Sequence, residues 1–345
     1  VFLDSVCGND ISGLEIWKTC YTHFLSPEGD VIDDLIVYRL SNEKFLIVVN
    51  AANKDKDWAW LTGVKAGRVM IDKNRPSSIA YGRNVNLKDL SDPKHKDEML
   101  IDLALQGKFS TKILLELGIE KKDINNFTEL KRAALMKGKF GDFELIVSRT
   151  GYTGENVGYE IFLHPEQAVA FWKKVLDIGE AYGLKPCGLG ARDSLRTEYG
   201  LPLYGYELAG PLKATVGEAG FAYFVKTYKP WFIGRSAFIS QEQERTKELV
   251  RFRFEEQRTR KAHLGDPVLN EKGKVIGAVT SCAIDSKGYF TGQAIVEKSY
   301  TKEGTVLLIY QNAPEKVNKS PSMLEIDDRI LLPSRAIVLS RYMKL

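Results

Sequence analysis

The chain has 345 residues, 44% hydrophobic and 27% charged. It has ample material for a core and exceeds the usual single-domain size, so two or three domains are expected. A net charge of +4 with acidic and basic residues interspersed offers no block of like charge for nucleic acid or a membrane surface. The longest apolar runs have strand length, far below the roughly 20 residues of a bilayer span. Nothing at the N-terminus reads as a signal or transit segment, so a soluble chain is expected. Cys7, Cys20, Cys187 and Cys282 are scattered without a CxxC pair, which points to a reducing compartment. His23, His95, His164 and His263 show neither HxxxH nor HExxH spacing, so no metal site is expected. Cys20 and His23, close in sequence, read as a core cysteine and a surface histidine rather than a thiolate–imidazole pair.

In chain order, Val31 to Leu40 and Lys44 to Val49 are rich in Val, Ile, Leu, Tyr and Phe and flank Ser41-Asn42-Glu43, which predicts a hairpin. Lys54 to Leu61 reads as a short helix, and the polar stretch 62–97 as a surface insertion. Met99 to Leu105 reads as a strand. Ser110 to Leu117 reads as a helix closed by Gly118. Asp142 to Ser148 and Tyr159 to Leu163 form a second hairpin with a glycine-bearing turn. A helix then starts at Pro165, and another follows Gly188 and Gly190 through Arg196 to Gly200. From Glu248 the texture changes to short strands at Val250–Phe254, Pro267–Leu269, Val275–Ser281, Phe290–Glu297, Thr305–Tyr310 and Ala336–Ser340, the pattern of a small β-barrel or sandwich. Helices alternating with hairpins, without a run of βαβ units, favour an α+β class.

Three features could carry chemistry. Asp33 and Asp34 sit at the mouth of an apolar strand, and alternation sends them to opposite faces, so they are not expected to reach the same nitrogen. One can be solvated while the other faces a cavity, or both can belong to a solvated turn. Arg192 and Arg196, at i and i+4, share a helix face that can hold a carboxylate or pair with Asp193 or Glu198. Glu160 lies inside a strand, where its carboxylate can accept two N–H groups or face solvent. Gly188-Leu189-Gly190 lacks the third glycine and the preceding βαβ unit of a dinucleotide fingerprint.

Together these pieces resemble the glycine-cleavage T-protein (aminomethyltransferase) family. The matching runs, in family order, are GND at 8–10, GDVIDDLIVYRL at 29–40, FLIVVNAANKDKD at 45–57, SRTGYTGE at 148–155, GLGARDSLRTEYGLPLYG at 188–205, FIGRSAF at 232–238 and GKVIGAVTS at 273–281. The resemblance implies a ring of three domains, two α/β units and a C-terminal β-barrel. Here these are placed at 1–133, which carries the catalytic aspartate, 134–244 and 245–345. It implies tetrahydrofolate as cofactor and lipoylated H-protein as partner, with methylenetetrahydrofolate and ammonia as products. By the same resemblance the catalytic aspartate matches Asp34, and the folate-contacting positions match Tyr21, Val48, Asn50, Glu160, Arg192 and Tyr342. The implied location is cytoplasmic, or the mitochondrial matrix in a eukaryote. The chemistry of the residues agrees: a pterin edge pairs an amide N–H with an exocyclic amine, which one carboxylate such as Glu160 can accept twice.

The chain departs from the family pattern in places. It enters mid-pattern at Val1, so apolar surface is expected where an earlier segment packs. Gly29-Asp30 replaces a glycine pair and is expected to add a third carboxylate near the site, and Ser281-Cys282-Ala283-Ile284-Asp285 replaces a barrel motif. These departures bear on the one-carbon donor. They leave as alternatives a tetrahydrofolate-dependent demethylase of an N-, O- or S-methyl compound and a non-enzymatic folate-binding protein. The run Lys287-Gly288-Tyr289-Phe290-Thr291-Gly292-Gln293 resembles a signature of folate-binding iron–sulfur maintenance proteins, but tyrosine stands at its key cysteine and it lies in the expected barrel.

Overall fold

The N-terminal apolar runs build a three-stranded antiparallel sheet of β1 (Thr19–Leu25), β2 (Val31–Arg39) and β3 (Phe45–Val48) in that order. The structure is a computed structural model that describes residues 1–312 and 320–342. Gly29 turns β1 into β2 at φ 84°, a conformation that favours glycine. Register pairs His23 with Asp34, Tyr21 with Ile36, and Ile36 in turn with Val48, so these side chains share one face with Tyr38 and Leu46. The opposite face carries Phe24, Asp33, Leu35 and Val37. Its apolar members pack into a core with α1 (Phe2–Val6) and α2 (Lys54–Ala66).

The stretch after α2 is not the polar surface insertion its composition suggests. Ile71 and Ala80 are buried in that same core, and Val69, Val85 and Leu87 pack against it. Scattered apolar residues anchor the segment while its charged majority stays in solvent, which average polarity conceals.

A second antiparallel sheet has the order β4 (Ile101–Gln106), β7 (Gly158–Leu163), β6 (Phe143–Ser148) and β5 (Leu135–Phe140). Its outer face is covered by α3 (Ser110–Glu116), α4 (Ile124–Thr128) and α5 (Pro165–Glu180) through Ile113, Leu114, Phe127, Phe171 and Val175. Its inner face presents Leu135, Ile146 and Phe162, which meet Tyr38, Leu46, Ile36 and Val48 of the first sheet. Tyr38 stands edge-on to Phe162 at 5.2 Å between ring centroids. The Asp34 face of the first sheet is therefore walled by the second.

The chain divides into two compact units, Val1–Gly188 with Phe224–Ile239, and Leu189–Tyr223 with Ser240–Leu345. The second unit contains α6 (Leu189–Tyr199), α7 (Arg235–Glu244) in part, and a closed barrel. The barrel's described strands are β8 (Lys247–Phe254), β9 (Pro267–Leu269), β10 (Val275–Ile284), β11 (Phe290–Glu297), β12 (Val306–Ile309) and β13 (Ser334–Leu339), in the order β10-β11-β8-β13-β12-β9. The α+β class and the C-terminal barrel are as the sequence pattern predicts. Among the described residues no helix is long and apolar enough to cross a membrane.

Arg196 does not present its guanidinium beside Arg192. It is 1% exposed and bonds Glu207 Oε2 and Ser281 Oγ, each at 2.7 Å, while its Nε donates to Asp193 at 2.8 Å. Glu207 is fully buried and also accepts Leu203 N–H at 3.0 Å. This ties α6, the following loop and the barrel strand β10 within one unit. Glu207→Leu leaves the buried guanidinium with the part-exposed Asp193 as its remaining ionic partner, so it is expected to destabilise the protein by about 1–3 kcal/mol in denaturant unfolding. A loss under about 1 kcal/mol would mean that this pair does not hold the unit together.

Candidate active site

The site begins with two adjacent carboxylates that need donors. Asp33 is fully buried. Its Oδ2 accepts the backbone N–H of Asn50 at 3.1 Å, and its Oδ1 accepts Asn50 Nδ2 at 2.9 Å and Asn53 Nδ2 at 2.5 Å. Asp34, on the other face, accepts Tyr21 O–H on Oδ2 at 2.7 Å and Asn50 Nδ2 on Oδ1 at 2.8 Å. The two carboxylates point to opposite faces, and one amide nitrogen of the protein reaches both. Asn50 follows β3, whose pairing ends at Val48 opposite Ile36, so on that side the mouth of β2 has no strand neighbour among the described residues and the Asn50 side chain can straddle the two faces.

Burial pushes the Asp34 carboxyl up to about 6, helped by the neighbouring charge of Asp33 and opposed by donation from Tyr21 and Asn50. Burial and the Asp34 charge hold the Tyr21 phenol well above its usual range, so it remains a proton donor to the carboxylate. A further carboxyl lies behind the pair. Asp57, in the first turn of α2, is 1% exposed, and neither of its oxygens meets an N–H or O–H donor. It lies against Asp33, and burial followed by that contact pushes it up to about 8. The third acid of the site is thus Asp57. Asp30 is exposed at the β1–β2 turn.

Glu160 stands on the inner face of the second sheet. Its Oε2 accepts Tyr38 O–H at 2.7 Å and also the Thr150 hydroxyl. Asp34 and Tyr38 are four residues apart on β2, about 13 Å along the strand, with Ile36 between them. Val48 pairs with Ile36 and packs in the cluster between the sheets. Tyr152, in the β6–β7 turn, is near enough to Tyr21 to act on it electrostatically. The first unit therefore holds a buried, hydrogen-bonded carboxylate at one end of an apolar wall and a second hydrogen-bonded carboxylate at the other.

The GCVT N-terminal domain family matches residues 1–229. The chain is 36% identical over 325 residues to an aminomethyltransferase of Thermoanaerobacter pseudethanolicus, covering 91% of this chain and 78% of the relative. It is 38% identical over 282 residues to an aminomethyltransferase of Desulfitobacterium hafniense, covering 81% and 68% respectively. The crystal structure of glycine cleavage system aminomethyltransferase T from Bartonella henselae superposes with a TM-score of 0.72 at 25% identity, covering 99% of this chain and 82% of that one. The chain belongs to the aminomethyltransferase family.

Of the residues that the resemblance assigned, Tyr21, Asp34 and Asn50 form one hydrogen-bonded group in this aminomethyltransferase fold, with Val48 and Glu160 on the same inner wall system. Arg192 and Tyr342 belong to the second unit, Arg192 on the exposed side of α6 and Tyr342 half-exposed after β13. The sequence reading missed Tyr38, Asn53, Asp57 and His23. Tyr38 reads as an ordinary strand residue, and Asp57 as a first-turn acid that favours a helix N-terminus. His23 is fully buried rather than on the surface; it stands on the Asp34 face with its ring edge-on to Tyr21 at 5.0 Å, and burial pushes it down to about 3. The signal for His23 was its place in an apolar strand.

Because the Tyr21 hydroxyl stabilises ionised Asp34, Tyr21→Phe should raise the Asp34 pKa above about 6. Turnover that needs the carboxylate then fails at a higher pH than in the wild type, which a pH–rate profile measures. An acid limb that stays in place or moves to lower pH would remove Tyr21 from control of Asp34.

Proposed function

We propose that this family member transfers an aminomethyl group from lipoylated H-protein to tetrahydrofolate, releasing ammonia, with Asp34 as the acid–base residue. The observation that carries the reading is Asp34 itself, oriented by Tyr21 and Asn50 on the wall that leads to Glu160. The side chains fit a folate. Glu160 offers a carboxylate whose two protein donors converge on Oε2, and Ile36 and Val48 supply apolar surface between it and Asp34. Bound tetrahydrofolate would supply nitrogen nucleophiles for the one-carbon unit. Glu160 would accept N–H groups of its pterin edge. Asn50, Val48 and Tyr21 would line the route to Asp34. Arg192 and Tyr342, of the second unit, are proposed as further folate contacts.

Burial, opposed by donation from Tyr21 and Asn50, pushes the Asp34 carboxyl up to about 6, more basic than an ordinary surface aspartate. That combination suits a group that receives a proton and holds it near the reacting nitrogen, an assistance typically worth about 10²–10⁴-fold. Its two fixed hydrogen bonds leave the remaining lone pairs for that proton. The first unit also has two sheets with separate cores, which supports a division into two α/β domains beside the barrel.

The reading is tested by incubating the protein with tetrahydrofolate and aminomethylated H-protein and following ammonia and methylenetetrahydrofolate. Product that depends on H-protein is expected. One-carbon transfer from a small methylated amine, ether or thioether without H-protein would replace this donor with another. Glu160→Gln puts an amide donor where the pterin needs an acceptor, so tetrahydrofolate binding should weaken by about 1–3 kcal/mol in titration calorimetry. Unchanged affinity would take Glu160 out of the folate site.

A further inference from the structure

We propose that Asp57 carries a proton which it donates to Asp33, so that the buried pair holds one negative charge and acts through Asn50 to position Asp34. Asp57 is thus a positioning residue, and its kinetic effect rests on the aminomethyl-transfer reading above, whereas the proton itself does not.

Asp33 and Asp57 are 0% and 1% exposed. Asp33 already accepts the Asn50 backbone, the Asn50 side chain and the Asn53 side chain. Asp57 has no donor on either oxygen; what it faces is Asp33. Two ionised carboxylates present only lone pairs to each other, and neither could shed its charge into water from such a position. A single proton on Asp57 removes both penalties: it cancels one charge and turns the contact into an O–H to carboxylate hydrogen bond. The charge left on Asp33 aligns Asn50, and the same Asn50 nitrogen bonds Asp34 Oδ1 at 2.8 Å.

The groups bearing on Asp57 give the sign of its pH dependence. Asp33 and Asp34 on β2 disfavour its ionisation, and Lys56 on its own helix favours it weakly, with the Lys56 ammonium bonded to the Ile32 carbonyl. The result is a carboxyl pushed well above the usual aspartate range, which keeps its proton as the pH rises toward neutral and loses it on the alkaline side. Above that, repulsion within the pair would loosen Asn50 and with it Asp34, so turnover acquires an alkaline limb.

Two measurements test this. The first is carboxyl NMR of the whole protein labelled with ¹³C-aspartate and free of folate. It should show one buried aspartate still protonated at pH 7, titrating near 8, and absent in Asp57→Asn. Finding every buried aspartate ionised at pH 7 would overturn the proposal, whatever the enzyme's substrate. The second is kinetic. Asp57→Leu keeps a side chain of similar size but cannot donate, and should lower turnover about tenfold or more with tetrahydrofolate affinity changed less than about twofold. Asp57→Asn, whose amide can donate to Asp33, should restore most of that turnover and lose the alkaline limb. An alkaline limb unchanged in Asp57→Asn, or full turnover in Asp57→Leu, would remove Asp57 from the positioning chain. If the wild type transfers no aminomethyl group at all, the functional reading fails while the NMR result still decides where the proton is.

Discussion

One side-chain amide holds the site together. Asn50 Nδ2 reaches Asp33 Oδ1, Asp34 Oδ1 and the Asp34 carbonyl at 2.8–3.1 Å, so a single NH₂ group ties two carboxylates that strand geometry directs apart. Without those donors, two acids at the mouth of a buried strand would repel one another and face unmet desolvation. With them, Asp33 becomes a fixed anchor in the core and Asp34 a tuned group on the opposite face. The position of Asn50 depends in turn on β3 ending at Val48, opposite Ile36.

The tuning of Asp34 is a balance between opposing influences. Burial and the Asp33 charge disfavour its ionisation, while Tyr21 and Asn50 favour it. Tyr21 stays protonated because it too is buried beside the anion, so its donation persists across the working range. The inner wall extends the same arrangement toward Glu160, where Tyr38 and Thr150 hold a second carboxylate through one oxygen.

Much of this was legible in the residues. The alternation of Val31 to Leu40 placed Asp33 and Asp34 on opposite faces, and the short strands after Glu248 announced the barrel that closes from β8 to β13. The family runs singled out Asp34, Tyr21 and Asn50, which the fold gathers into one group. What escaped was set by long-range packing. Arg192 and Arg196 share a helix face by spacing, but the edge of the buried stripe falls between them and Glu207 draws only Arg196 inward. Asp57 and His23 look ordinary in sequence because local pattern does not reveal which polar side chain a tertiary core encloses without a donor. Ile71 and Ala80 vanish within a charged stretch for the converse reason.

The most direct test of the account is the separation of chemistry from binding at Asp34. Asp34→Asn retains the shape of the side chain and most of its hydrogen bonds, but it cannot take up a full proton at neutral pH. Turnover in aminomethyl transfer should therefore fall by about 10²-fold or more, while tetrahydrofolate affinity, measured directly on the same protein, changes far less. Turnover near the wild-type value in Asp34→Asn would contradict the central assignment, and a defect larger in Asp33→Asn would move the catalytic role to the other face of β2.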